Sequence, residues 1–119
     1  MSKESRAKKP DVDAAAFFAL DLRVGRVVDV EEFPEARKPA WKLAVDFGAS
    51  VGVLRTSAQI KNYTRDDLMN RLVVGAINLG AKRVAGFSSE FLILGGIDQA
   101  SVVHLLSVDD GVVPGDPVA

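Results

Sequence analysis

The chain contains no cysteine. That excludes a disulfide framework, a thiolate metal site and a thiol nucleophile. It fits a reducing compartment, and the cytoplasm is the expected location. Only one histidine is present, His104, which removes the paired-histidine zinc motifs. It lies inside the apolar run Val-Val-His-Leu-Leu, where a structural or interfacial role is expected, and no Ser/Asp spacing supports nucleophilic catalysis. No apolar stretch approaches the roughly 20 residues of a membrane span, so no membrane insertion is expected. Basic residues are also missing from the last third of the chain. None follows Arg83, whereas Glu90, Asp98, Asp109, Asp110 and Asp116 do.

What is present describes an ordinary globular chain. The 119 residues suggest one domain, long enough to bury a core without staples. Hydrophobic residues make up 48% and charged residues 26%, and the net charge is -1. The protein is therefore not a bulk polycation and non-specific RNA binding is expected to be weak, while a localised basic face is still open to it. The middle of the chain, where most of the Lys and Arg lie, is the place to look for one.

Residues 1–11 are polar and basic without apolar periodicity, which predicts a flexible solvated tail ahead of one domain over 12–119. Val12 to Leu20 reads as a short helix with Asp13 as N-cap. Its Phe17, Phe18 and Leu20 need a surface to cover, either the bottom of a barrel or a second copy of the chain. Arg23–Phe33 carries valine on both faces and predicts a long, bent strand, with Gly25 as a candidate bulge. A proline-punctuated loop leads to strands over Trp41–Phe47 and Val51–Ile60, joined at Gly48-Ala49-Ser50. Thr64 followed three residues later by Asp67 is a capping-box variant that predicts a helix to Arg71. Strands follow over Arg71–Asn78, Phe87–Leu94 and Ser101–Val108. Three strands, a helix and two strands are the order of a five-stranded, all-β Greek-key OB barrel with short helices and terminal extensions, although other small β-barrels share this pattern.

The segment Asn78–Gly96, N-L-G-A-K-R-V-A-G-F-S-S-E-F-L-I-L-G-G, holds the basic pair Lys82-Arg83 in a predicted loop between two strong strands. Loops held by rigid strands are common places for function. The segment resembles the signature of the tRNA-binding OB-fold domain family, which includes the C-terminal domain of many methionyl-tRNA synthetases. The matching positions are Asn78, Leu79, Arg83, Gly86, Ser89 and Glu90. Glu90 and Gly80-Ala81 depart from the glutamine and Lys-Pro of many relatives: the first adds a negative charge that repels phosphate, and the second removes a positive one. Together with E-E-F-P-E-A-R (31–37) and S-A-Q-I (57–60), the segment resembles the export-related chaperone branch of that family.

The resemblance implies a non-catalytic protein without cofactor or metal, a homodimer, and two kinds of ligand: tRNA, and unfolded preproteins or peptides. The protein-export ATPase is a candidate further partner. A dedicated tRNA-binding protein is the alternative. The residues expected to meet RNA are Lys42, Arg55, Ser57, Asn78, Lys82, Arg83 and Ser89. Arg83 suits a bidentate phosphate or base contact, and Asn78 a base edge. Each has a plainer reading as well: Asn78 as a strand end, Ser89 as a backbone ligand, and Lys82 and Arg83 as a solvated pair. Phe33 and Trp41 are candidates for peptide binding, against the alternative that both pack at the barrel mouth.

Overall fold

The structure is a computed structural model and describes residues 6–119. Eleven elements follow in order. They are α1 (Ala14–Phe18), β1 (Leu22–Glu32), β2 (Trp41–Asp46), β3 (Val53–Ala58), α2 (Arg65–Leu68), β4 (Leu72–Ala76), β5 (Lys82–Val84), β6 (Phe87–Ser89), β7 (Leu92–Ile93), β8 (Gly95–Ile97) and β9 (Val103–Leu105). Of the predicted tail, residues 1–5 lie outside the described residues, and residues 6–11 are exposed.

The main sheet is antiparallel in the order β3-β2-β1-β4-β7. β1 pairs with β4 through Leu22–Arg26 and with β2 through Arg26–Glu32. The change of partner requires a bend. It is made by a register shift between Val27 and Asp29, which leaves Val28 as the extra residue. The bulge is therefore at Val28 and not at Gly25. Gly25 instead permits close packing: a Cβ there would lie 2.5 Å from Val45 Cγ1 and 2.8 Å from Phe47 Cε1. Gly75 does the same on β4, where a Cβ would lie 2.8 Å from Phe91 and 3.0 Å from Phe47. The two glycines form a notch for the edge-to-face pair Phe47–Phe91, whose centroids are 4.9 Å apart.

Around that pair the core gathers Val27, Val30, Leu43, Val45, Ile60, Leu68 and Val73. Strict alternation along β2 delivers Trp41, Leu43 and Val45 inward. The capping box forms as predicted: the Thr64 side chain accepts from Asp67 N–H and the Asp67 carboxylate accepts from Thr64 N–H. It starts a single helical turn that buries Leu68. The helical residue in the core is thus supplied by α2. α1 buries nothing, Phe18 remains 72% exposed, and the expectation that this helix fills the barrel bottom is overturned. Asp13 holds the N-cap position, but its side chain makes no capping bond.

The barrel is nearly closed. β7 joins β4, and the segment after β6 returns to β3, where Glu90 N–H donates to Arg55 C=O at 2.7 Å. The long fifth strand expected over 87–94 is broken into β6 and β7, and β8 follows it. Its first piece folds back on β5, and β8 pairs with β9 in a separate hairpin. The C-terminal segment runs beside the start of β1, with Gly115 N–H donating to Val24 C=O and Val118 N–H to Leu22 C=O. Among the described residues that edge of β1 has no other strand, because β2 begins to pair only at Arg26.

Candidate nucleic-acid and peptide interface

Cross-strand register decides which polar residues share a face. Lys42 stands opposite Ser57, and Ala44 opposite Arg55, so Lys42, Arg55 and Ser57 lie together on the outer surface of β2 and β3. Glu31 and Asp29 flank them on β1, opposite Lys42 and Ala44. Lys42 Nζ is 4.8 Å from the centroid of the Phe33 ring and 5.3 Å from that of Phe87. The two rings are themselves in edge contact at 5.6 Å. This arrangement holds the Lys42 stem while its charge remains at the surface.

The predicted Lys82-Arg83 loop is instead a β-hairpin. Lys82 pairs with Ser89, Arg83 with Ser88 and Val84 with Phe87. The two turn residues, Ala85 and Gly86, both have positive φ (49° and 82°), the handedness that suits a two-residue hairpin. Consecutive strand residues point to opposite faces, so Lys82 and Arg83 cannot serve one surface. Lys82 turns with Val84 toward a cleft, whereas Arg83 Nη2 donates to Gly86 C=O at 2.6 Å.

The cleft is open, with a volume of about 1030 Å³. Phe33, Ile60, Leu92, Ile93 and Val103 supply apolar surface, and Ser57, Gln59, Arg37, Lys38 and Lys82 supply polar groups. Its charged residues are all cationic. Among the described residues, Arg37, Lys38, Arg55, Lys82 and Arg83 have no carboxylate within ion-pair distance. Other cations are committed to the fold: Arg23 pairs with Asp21, Lys61 with Glu32, and Arg65 donates to Val30 C=O.

The remaining predicted site residues are engaged in hydrogen bonds or packing within the fold. Asn78 accepts from Asp21 N–H at 2.7 Å and donates to Ala19 C=O at 2.8 Å, tying the α1–β1 connection to the end of β4. Ser89 Oγ lies 2.8 Å from Thr56 Oγ1, which donates to Phe91 C=O at 2.7 Å. Ser89 is therefore part of the seam between β3 and β6. Trp41 is 8% exposed; its indole N–H donates to Tyr63 C=O, and Lys61 lies 3.7 Å from its ring centroid. Trp41 is thus packed with the core, the plainer of its two readings. Phe33 is even more buried, at 4% exposed, but its edge lines the cleft. Gln59 and Phe87 were not named as site residues. Gln59 could have been found within the S-A-Q-I stretch, while Phe87 had no signal until the hairpin placed it beside Lys42.

The outer sheet face, the projecting β5–β6 hairpin and the cationic cleft define a β-barrel binding domain. The family model described as "Putative tRNA binding domain" matches residues 22–117, and the chain belongs to that family. Within it the chain is of the CsaA type. It is 42% identical to the chaperone CsaA of Bacillus anthracis, with a TM-score of 0.86 over 92% of this chain and 100% of that one. The CsaA chaperone protein of Picrophilus torridus gives 41% identity with the same coverage and TM-score. Methionine–tRNA ligase 1 of Sorangium cellulosum is 39% identical over 117 residues, 97% of this chain but 16% of the ligase. The chain thus spans about one-sixth of that relative's length.

Proposed function

We propose that this protein is a non-catalytic binding protein of the CsaA type that carries two ligands, tRNA and unfolded preproteins. One observation carries the reading: cations without carboxylate partners surround an apolar cleft at the barrel seam. Lys42 and Arg55 on the outer face, Arg83 on the hairpin and Lys82 at the cleft offer phosphate contacts, and the Ser57 hydroxyl lies opposite Lys42. Asn78 and Ser89 act indirectly, by fixing the strand ends that present the cations. The cleft beside Phe33 takes the apolar side chains of an extended peptide, a role supported by the chaperone names of the CsaA relatives. The exposed Phe17, Phe18 and Leu20 of the N-terminal segment suit a homodimer contact. The cytoplasm is the proposed compartment, and the protein-export ATPase a proposed partner.

The test is a titration against bulk tRNA and against an unfolded preprotein at about 50 and 200 mM salt. Wild type is compared with Lys82→Ala and Arg83→Ala. Saturable tRNA binding is expected to weaken with salt. Its log–log salt slope is expected to fall by about 0.7–0.9 for each cation removed that contacts a phosphate. Preprotein binding is expected to depend less on salt. Binding of tRNA alone would favour the dedicated tRNA-binding protein, and binding of neither ligand would overturn the proposal.

A further inference from the structure

Glu90 combines two properties that chemistry does not require together. Its main-chain N–H donates to Arg55 C=O at 2.7 Å. The return bond of that rung comes from its side chain, with Arg55 N–H donating to Glu90 Oε1 at 2.9 Å. In an ordinary antiparallel rung a main-chain carbonyl would accept that bond. Here the chain has already turned inward, and the next carbonyl, that of Phe91, accepts from Thr56 Oγ1. The side chain therefore completes the closure of the barrel.

That closure needs one acceptor oxygen and no charge. A neutral amide of the same length would also accept the bond, through its carbonyl oxygen. The carboxylate nonetheless places a negative charge on the seam, against the Arg55 main-chain N–H and one residue from the Ser89 that pairs with Lys82. No cation lies within ion-pair distance of it among the described residues. Its charge is thus not cancelled by a salt bridge, and it acts on whatever approaches Arg55 and Lys82.

We propose that Glu90 is the specificity-determining residue of this face: its side-chain oxygen closes the barrel, and its charge holds down affinity for phosphate-bearing ligands. The proposal rests on the tRNA-binding reading above. It assigns closure and selectivity to one side chain, so an isosteric change must separate them.

The experiment compares wild type with Glu90→Gln and Glu90→Ala, each measured for tRNA affinity and for urea unfolding, with Lys82→Ala as a control. Glu90→Gln is expected to keep the wild-type unfolding midpoint. It is expected to bind tRNA about three- to tenfold more tightly at low salt, the size of removing one unit of repulsion a few ångströms from a phosphate. The gain is expected to shrink as salt screens the charge. Affinity for an uncharged peptide should not change, because a merely structural role would alter both ligands alike. Glu90→Ala is expected to lower the midpoint by removing the acceptor. If Glu90→Gln leaves tRNA affinity unchanged while Lys82→Ala weakens it, the charge role is refuted and the tRNA-binding reading stands. If none of the proteins binds tRNA at low salt, both fall together.

Discussion

Replacing Gly25 by alanine sets two opposing effects against each other. β1 is extended at this position, so alanine should reduce the freedom of the unfolded chain and stabilise the fold by about 0.4–1 kcal/mol. The added methyl, however, would lie 2.5 Å from Val45 Cγ1 and within 2.9 Å of two Phe47 ring atoms. Neither neighbour has an easy retreat, because Val45 and Phe47 are both wholly buried and Phe47 is already lodged against Phe91 and Gly75. Overpacking of this kind costs about 1–3 kcal/mol. The steric effect wins, and a net loss of roughly 1–2 kcal/mol is expected. For a chain of this size that lowers Tm by about 4–8 °C. Urea unfolding should show a lower midpoint with an unchanged slope. Gly96→Ala supplies the contrast, since a Cβ there meets nothing within 4 Å; it should leave stability unchanged or raise it. Adding Phe47→Leu to Gly25→Ala should cost less than the sum of the two single changes. A Gly25→Ala protein as stable as wild type would refute the notch.

Thr56→Val leaves the Phe91 carbonyl and Ser89 hydroxyl without their partner in the seam, and equilibrium unfolding should register a loss of about 1–3 kcal/mol. Asn78→Ala releases the Asp21 and Ala19 main-chain groups, so amide exchange should accelerate at Asp21 more than in the core strands. Asp98 is held below the ordinary carboxylate range by His104 first, then by the Val102 and Ala100 N–H groups. A depressed carboxyl contributes stability that is complete above its unfolded pKa and lost as pH falls through the folded one. Acid below about pH 4 should therefore loosen the β8–β9 hairpin, and Asp98→Asn should abolish that acid transition in a pH series of hairpin NMR shifts. Asp67 is depressed by the Thr64 N–H and hydroxyl, so the α2 capping box should fail on the same acid side, as followed by exchange at the Thr64 and Asp67 amides.

Local patterns in the chain carried much of the architecture. Alternating valines and leucines marked β1 to β4, and Thr64 with Asp67 marked the start of α2, because each signal depends on neighbours within a few residues. The Asn78–Glu90 segment, read with the two shorter motifs, was sufficient for the family and hence for the barrel. Lys82 and Arg83 were visible as a basic pair, but their opposite directions were not, since those follow from a hairpin whose turn holds Ala85 at positive φ. Trp41 could be read as either ligand platform or core, and only the inward alternation of β2 against Tyr63 decided for the core. The roles of Gly25, Asn78 and Glu90 were beyond sequence reading for a common reason. Each acts on a partner at least 20 residues away, Val45 and Phe47 for Gly25, Ala19 and Asp21 for Asn78, and Arg55 for Glu90. Periodicity reports which face a residue takes, whereas the closing of the barrel decides what that face meets.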